Sequence, residues 1–243
     1  MPRYLEELEK NAMAGEVPII RKDAQALLRF LLRARRPMRI LEIGTAVGFS
    51  CMYMGEYMPE GARIVTVEKV AMRVGAAKEN LKQSPRAGDI ALLIGEAADV
   101  LKKLLEGDVP LVHPEGMGQN LLPEKYRMTN WRAFEVYLPA GEASVWEDGA
   151  FFAPYDFIFM DAAKGQYMNF LPYILKLLAP NGMFVTDNVL QEGSIASSKF
   201  AVERRDRTIH MRMREYLHEL THRADLNTAV LPVGDGMALT TLR

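Results

Sequence analysis

Four polar residues stand where strand-like runs end. Asp161 closes Tyr155-Asp-Phe-Ile-Phe-Met-Asp161 and is followed by Ala162-Ala163-Lys164; Asp187 and Asn188 close Gly182-Met-Phe-Val-Thr-Asp-Asn188. If the two runs are neighbouring parallel strands, their ends share one edge, and Asp161, Asp187 and Asn188 come within reach of a single ion. Donors that are all oxygen suit a hard divalent cation such as Mg²⁺, which keeps water or substrate oxygens in part of its shell. One Asp or Asn at a strand end most often caps the next helix; three oxygen donors at two strand ends favour a shared site. Lys164 by type is a solvated surface charge. The spacing Asp-x-x-Lys puts it beside a cation, where its ammonium is expected to give up its proton more readily and act as a general base.

A second cluster lies in Leu41-Glu42-Ile43-Gly44-Thr45-Ala46-Val47-Gly48-Phe49-Ser50, between a strand-like run and a helical pattern. Glycines here let the backbone turn tightly and meet a ligand with no Cβ in the way. The pattern is Glu-x-Gly-x-x-x-Gly, not the Gly-x-Gly-x-x-Gly that offers a helix N-terminus to a pyrophosphate. A nicotinamide oxidoreductase is therefore disfavoured. S-adenosylmethionine has no phosphate. Its ammonium needs a carboxylate such as Glu42, and its ribose diol suits Glu68 at the end of the next run. Gly95-Glu96-Ala97 ends a third run, near the place of an adenine ring. Alone, the glycines describe a plain strand–helix turn; Glu68 in register makes them a cofactor loop.

Only a parallel sheet brings these residues to one edge. Apolar runs at Arg39–Gly44, Arg63–Glu68, Asp89–Gly95, Tyr155–Asp161 and Gly182–Asn188 read as buried strands. Helical patterns alternate with them, at Lys22–Ala34, Gly48–Met58, Val70–Gln83 and Met168–Leu178. Alternation of this kind gives helices on both faces of a parallel sheet. Lys199–Arg223 reads as a long polar helix. Thr228–Val233 and Met237–Leu242, joined by Gly234-Asp235-Gly236, read as an antiparallel hairpin at the sheet edge. Residues 108–154 hold both tryptophans and show no period; they read as an insertion. Lying between a helix and a strand, the insertion is expected at the amino ends of the strands, away from the ligand edge and dispensable for chemistry.

The 243 residues, 49% of them apolar, fit one α/β domain over the whole chain. No apolar run approaches the ~18 residues that span a bilayer, and the charged N-terminus lacks an apolar signal region. No membrane association and a cytoplasmic location are expected. The single cysteine, Cys51, excludes an intrachain disulfide and reads as core packing. A net charge of −1 excludes a surface that is basic all over, but not a local basic patch. Arg204, Arg205, Arg207, Arg212 and Arg214 follow the Asp187-Asn188 site, and Arg21, Lys22, Arg29, Arg33, Arg35 and Arg36 lie near the N-terminus. Both groups suit phosphate contacts. Glu203, Asp206, Glu215 and Glu219 interleave with the first group, as on an ordinary solvated helix.

Together, the glycine motif, Asp161-x-x-Lys164 and Asp187-Asn-Val189 resemble the cation-dependent O-methyltransferase family of catechol and caffeoyl-CoA O-methyltransferases. Val17-Pro-Ile-Ile20, Asp161-Ala-Ala-Lys-Gly-Gln-Tyr167, Thr186-Asp-Asn-Val-Leu190 and Leu231-Pro-Val-Gly-Asp-Gly236 further resemble the bacterial branch that makes 5-methoxyuridine from 5-hydroxyuridine at the tRNA wobble position. The resemblance spans nearly the whole chain outside the insertion. It implies a Rossmann-like methyltransferase fold, with a mostly parallel seven-stranded sheet, the antiparallel C-terminal hairpin and helices on both faces. It implies S-adenosylmethionine and Mg²⁺ or another divalent cation as cofactors, and a homodimer. It places Glu42, Gly44, Gly48, Ser50, Glu68, Glu96, Ala97 and Asp161 at cofactor positions, with Ile20 covering the cofactor. Asp161, Asp187 and Asn188 fall at metal positions, Lys164 and Asp161 at catalytic ones, and Arg204, Arg205 and Arg207 would face RNA. Glu96 stands where the family usually has the aspartate of Gly-Asp-Ala. The implied reaction is in-line methyl transfer from the sulfonium to a hydroxyl oxygen of tRNA 5-hydroxyuridine, its rate owed mostly to alignment. Two alternatives stay open: a small catechol-like phenol as acceptor, and a cofactor-binding interaction protein without turnover.

Overall fold

The structure, a computed structural model, describes residues 1–15, 17–107, 134–141, 146, 153–196, 203 and 207–243. Its helices are α1 (Arg3–Ala14), α2 (Lys22–Arg35), α3 (Phe49–Tyr57), α4 (Ala71–Leu81), α5 (Ala97–Glu106), α6 (Tyr167–Leu177) and α7 (Arg207–His222). Its strands are β1 (Arg39–Ile43), β2 (Arg63–Glu68), β3 (Ile90–Gly95), β4 (Phe134–Tyr137), β5 (Tyr155–Met160), β6 (Leu178–Thr186), β7 (Leu226–Leu231) and β8 (Met237–Leu242). Among the described residues no helix is long and apolar enough to cross a membrane.

The strands form one sheet in the order β4-β3-β2-β1-β5-β6-β8-β7. β1, β2, β3, β5 and β6 are parallel, and β8 and β7 close one edge as the expected antiparallel hairpin. The central strands are buried on both faces, which is why they read as continuous apolar runs. One face packs on α5, α6 and α7 around Tyr167, Phe170 and Tyr216; the other packs on α1 to α4 around Leu28, Phe49 and Tyr53. Helix α2 shows the cause: Ala24, Gln25, Leu28, Leu31 and Leu32 are its buried residues, a stripe at helical spacing. Cys51 is buried in α3, as expected.

The chain leaves β1 for β2 and β3, then returns to place β5 on the other side of β1. That reversal opens a crevice at the carboxyl ends of the strands. Register sets what lines it. Ile43 pairs with both Val67 and Met160, and Met160 with Thr186. Gly44, Glu68, Asp161 and Asp187 therefore leave the sheet level with one another.

Two expectations are corrected. The sheet has eight strands among the described residues, not seven: β4 arises inside the segment read as an insertion without a period and pairs antiparallel with β3. Phe134 lies opposite Gly95 and Tyr137 opposite Leu92, so the segment re-enters at the carboxyl edge and does not stay at the amino ends. Trp146 from the same segment is buried in the core. The long C-terminal helix is seen as α7; residues 199–202 and 204–206 of the expected span lie outside the described residues.

Candidate active site

A cleft of about 620 Å³ opens at this edge, a size usual for cofactor sites. Ile20, Gly44, Glu68, Glu96, Ala97, Asp161, Lys164, Asp187 and Asn188 all border it; Glu42, Gly48 and Ser50 do not. Gly44 has φ +104°, and a Cβ there would sit 2.0 Å from the Asp161 carbonyl oxygen. Only glycine lets the ends of β1 and β5 close to this distance. Gly48, at φ +90°, starts α3 against Leu81. The Glu68 carboxylate ties β2 to the loop. Its Oε2 accepts the Ala46 N–H and its Oε1 the N–H groups of Lys69 and Val70, each at 2.9 Å. Oε2 keeps a second lone pair for a ligand hydroxyl. Across the same end, Lys69 pairs with Glu96 at 2.9 Å.

Glu42 is fully buried. Its Oε2 accepts from Thr66, whose hydroxyl lies 2.6 Å from that of Thr45 in the loop, and among the described residues its Oε1 has no hydrogen-bond partner. Burial pushes this carboxyl up to about 7; the Ser50 and Thr66 hydroxyls oppose the rise, and the charges of Asp161 and Glu68 add to it. Ile20 is held over the cleft by α1 and α2: Gln25 donates to the Ile20 carbonyl and to Glu9, both at 2.9 Å.

Asp161 and Asp187 each extend the ladder one step past a strand end. Asp161 N–H donates to Ile43 at 3.0 Å and Asp187 N–H to Met160 at 2.9 Å. Asn188 follows in the left-handed region at φ +58°, a conformation asparagine tolerates, and its N–H donates to Asp187 Oδ1 at 2.7 Å. Tyr167 donates to the Asp187 carbonyl at 3.3 Å from the helix beneath. Burial raises Asp187 to about 7, helped by the charge of Asp161 and resisted by the Asn188 N–H. Burial likewise raises Asp161 to about 6, against the charges of Lys164 and Arg73. Among the described residues no three Asp, Glu, His or Cys side chains gather to hold an ion. A cation here would take two carboxylates and the Asn188 amide oxygen, leaving the rest of its shell to water or acceptor oxygens. Lys164 borders the cleft at the start of a 3₁₀ turn, Lys164–Gln166, which α7 clasps through Arg212 donating to Gly165 at 3.0 Å.

The model of a family described as O-methyltransferase matches residues 1–114 and 142–242. The chain belongs to the O-methyltransferase family. Caffeoyl-CoA O-methyltransferase 3 of Nicotiana tabacum is 33% identical over 221 residues, covering 89% of this chain and 73% of that protein. A catechol O-methyltransferase of Niastella koreensis is 24% identical over 168 residues, 69% of this chain and 57% of its own length. The fold matches an O-methyltransferase from Bacillus cereus, solved in complex with SAH, at a TM-score of 0.73 and 19% identity, covering 100% of this chain and 92% of that one. The family match omits 115–141, so β4 lies outside the part of the chain that the family model matches.

Arg73 and Asp235 are among the cleft residues of this O-methyltransferase that the sequence did not single out. Arg73, on α4, borders the cleft and acts on Asp161. Asp235 borders it too, from the turn between β7 and β8. Gly-Asp-Gly reads as turn chemistry, and that reading absorbed the aspartate; its recurrence in the Leu231–Gly236 motif was the available signal. Of the basic residues, Arg204 and Arg205 lie outside the described residues, and Arg207 opens α7 half-buried. Arg214 donates to the Ile195 carbonyl at 3.5 Å, and Arg29 and Arg33 both flank the Tyr57 ring at 5.7 Å. Arg212, Arg214, Arg29 and Arg33 are thus engaged in tertiary contacts.

Proposed function

We propose that this family member transfers a methyl group from S-adenosylmethionine to one hydroxyl of a catechol-type acceptor, with Asp161, Asp187 and Asn188 holding a divalent cation. The observation that carries the reading is the level register of β2, β1, β5 and β6, which brings the glycine loop, Glu68 and the acidic pair to one cleft. The names of the catechol and caffeoyl-CoA relatives support the acceptor class, and the SAH-bound structural neighbour supports the donor. The cation, when bound, supplies Lewis acidity that favours the ionised acceptor hydroxyl and orients its two neighbouring oxygens. Glu68 accepts the ribose hydroxyls, Ile20 roofs the donor, and Glu42 braces the loop behind its amino-acid end. Lys164 takes the hydroxyl proton at Nζ. The sulfur–methyl bond breaks as the oxygen–methyl bond forms, and the sulfonium leaves as a thioether. Holding oxygen, methyl and sulfur in line provides most of the rate.

A second reading keeps this chemistry and makes 5-hydroxyuridine in tRNA the acceptor; its adjacent hydroxyl and carbonyl would chelate as a catechol does. The Asp161–Tyr167 and Leu231–Gly236 motifs favour it. A homodimer belongs to either reading, checked by light scattering. Purified protein incubated with methyl-labelled donor, Mg²⁺ and either catechol or bulk tRNA separates the acceptors. Label in catechol supports the first reading, and label in tRNA as 5-methoxyuridine replaces it with the second. Label in neither, from a protein that binds the donor, overturns both.

A further inference from the structure

The turn between β7 and β8 is fastened from two sides. Asp23 accepts the Gly234 N–H at 2.7 Å, from the start of α2. The loop after β6 donates twice, Leu190 N–H to the Asp235 carbonyl at 2.8 Å and Val189 N–H to the Gly236 carbonyl at 2.9 Å. Gly236 must be glycine: at φ +90°, a Cβ would fall 2.3 Å from Leu190 Cγ. The turn thus lies closely over the segment that carries Asn188.

The Asp235 side chain, 18% exposed, faces the cleft between two partners. Its Oδ2 accepts from Asn188 Nδ2 at 3.3 Å, and its Oδ1 pairs with Arg21 Nη2 at 2.8 Å. A carboxylate only accepts, so it can meet only the NH₂ end of an amide. The amide oxygen of Asn188 is then the atom left for the other side. Without such a partner, nitrogen and oxygen are nearly equal in shape and either could face a cation, but only oxygen can ligate it. Arg21 belongs to the segment that roofs the cleft and starts α2. Its ion pair fixes the carboxylate and links the roof to the acidic centre.

We propose that Asp235 is a positioning residue: it holds the Asn188 amide by its nitrogen so that the amide oxygen faces the cation, while Arg21 fixes Asp235 in that role. This rests on the cation site proposed above.

The test is Mn²⁺ affinity of the full chain, read by electron paramagnetic resonance without turnover. Asp235→Asn offers an amide that can present either end to Asn188. It should weaken Mn²⁺ binding roughly 10-fold or more, the usual scale for losing a group that orients a ligand. The decisive comparison uses Asn188→Asp. A carboxylate at 188 has two equivalent oxygens and needs no orienting, so Asp235→Asn in that background should leave Mn²⁺ affinity unchanged or improve it. Weakening by the same factor in both backgrounds is what loss of charge or damage to the turn would produce, and it overturns the positioning role alone. No Mn²⁺ binding by the unaltered protein overturns the cation site and this role together. Melting temperatures verify folding, and Asp235→Ser repeats the comparison if asparagine disturbs the turn.

Discussion

Glu42 shows how one residue can carry a cost that its function explains. Its carboxyl ordinarily titrates at 4.5 and is pushed to about 7 in the fold. A raised acid binds its proton more tightly when folded, so the stabilisation is complete below about pH 4.5 and is lost as pH rises through about 7. Glu42→Gln removes the titration. Between pH 5 and 8 the parent should lose more stability than the variant, by up to roughly 3 kcal/mol at ~1.4 kcal/mol per unit; parallel melting profiles would contradict this. Lys164→Ala should lower kcat by ~10²–10⁴-fold, the usual contribution of a general base, with donor affinity unchanged by calorimetry. Asp161, Lys164, Asp187 and Asn188 were legible because each follows an apolar run that can only be a buried strand. Asp235 was not, because its meaning depends on a turn folding over Asn188 from 47 residues away.

At the scale of elements, β1, β2, β3 and β5 were legible to about one residue, since burial on both faces leaves unbroken apolar runs; β6 begins at Leu178, ahead of the expected Gly182 and where the helical pattern was expected to end. Strand β4 was not legible. Of its four residues, Phe134–Tyr137, only Val136 is buried, so no alternation marks it, and its pairing with β3 is a tertiary fact. Charge and ring contacts with α4 help hold it: Lys78 pairs with Glu135 at 3.0 Å and lies 4.9 Å from the Tyr137 ring. Trp146 is 1% exposed, with Arg63 5.7 Å from its ring. The segment, expected to be dispensable for chemistry, contributes to the core, and Trp146→Ala should destabilise the protein by ~3–5 kcal/mol in denaturant unfolding. A loss under 1 kcal/mol would return the segment to the periphery. Gly44→Ala tests the opposite edge of the argument. Its Cβ would meet backbone, the Asp161 carbonyl oxygen, so the ends of β1 and β5 must part. Donor binding should fall at least tenfold even where the variant stays folded.

For the whole molecule, the cleft is assembled from the roof near residue 20, the loop at 44–48, strand ends at 68, 95, 161 and 187, and a turn at 235. No stretch of sequence holds it, and only the reversal of strand order at β1 brings the parts together. The donor loop, the acidic pair and their meeting at one sheet edge were legible in the sequence; Arg73 and the turn at Asp235, which also line the cavity, are what the fold adds. The central claim is that methyl transfer runs through the acidic centre of that cavity. The direct measurement is transfer of labelled methyl from S-adenosylmethionine to catechol by protein stripped with EDTA and then titrated with Mg²⁺. Transfer should be negligible in EDTA, recover with Mg²⁺, and show no recovery at any Mg²⁺ concentration in Asp187→Ala. Full transfer in EDTA, or Mg²⁺-dependent transfer that survives loss of Asp187, would contradict that claim.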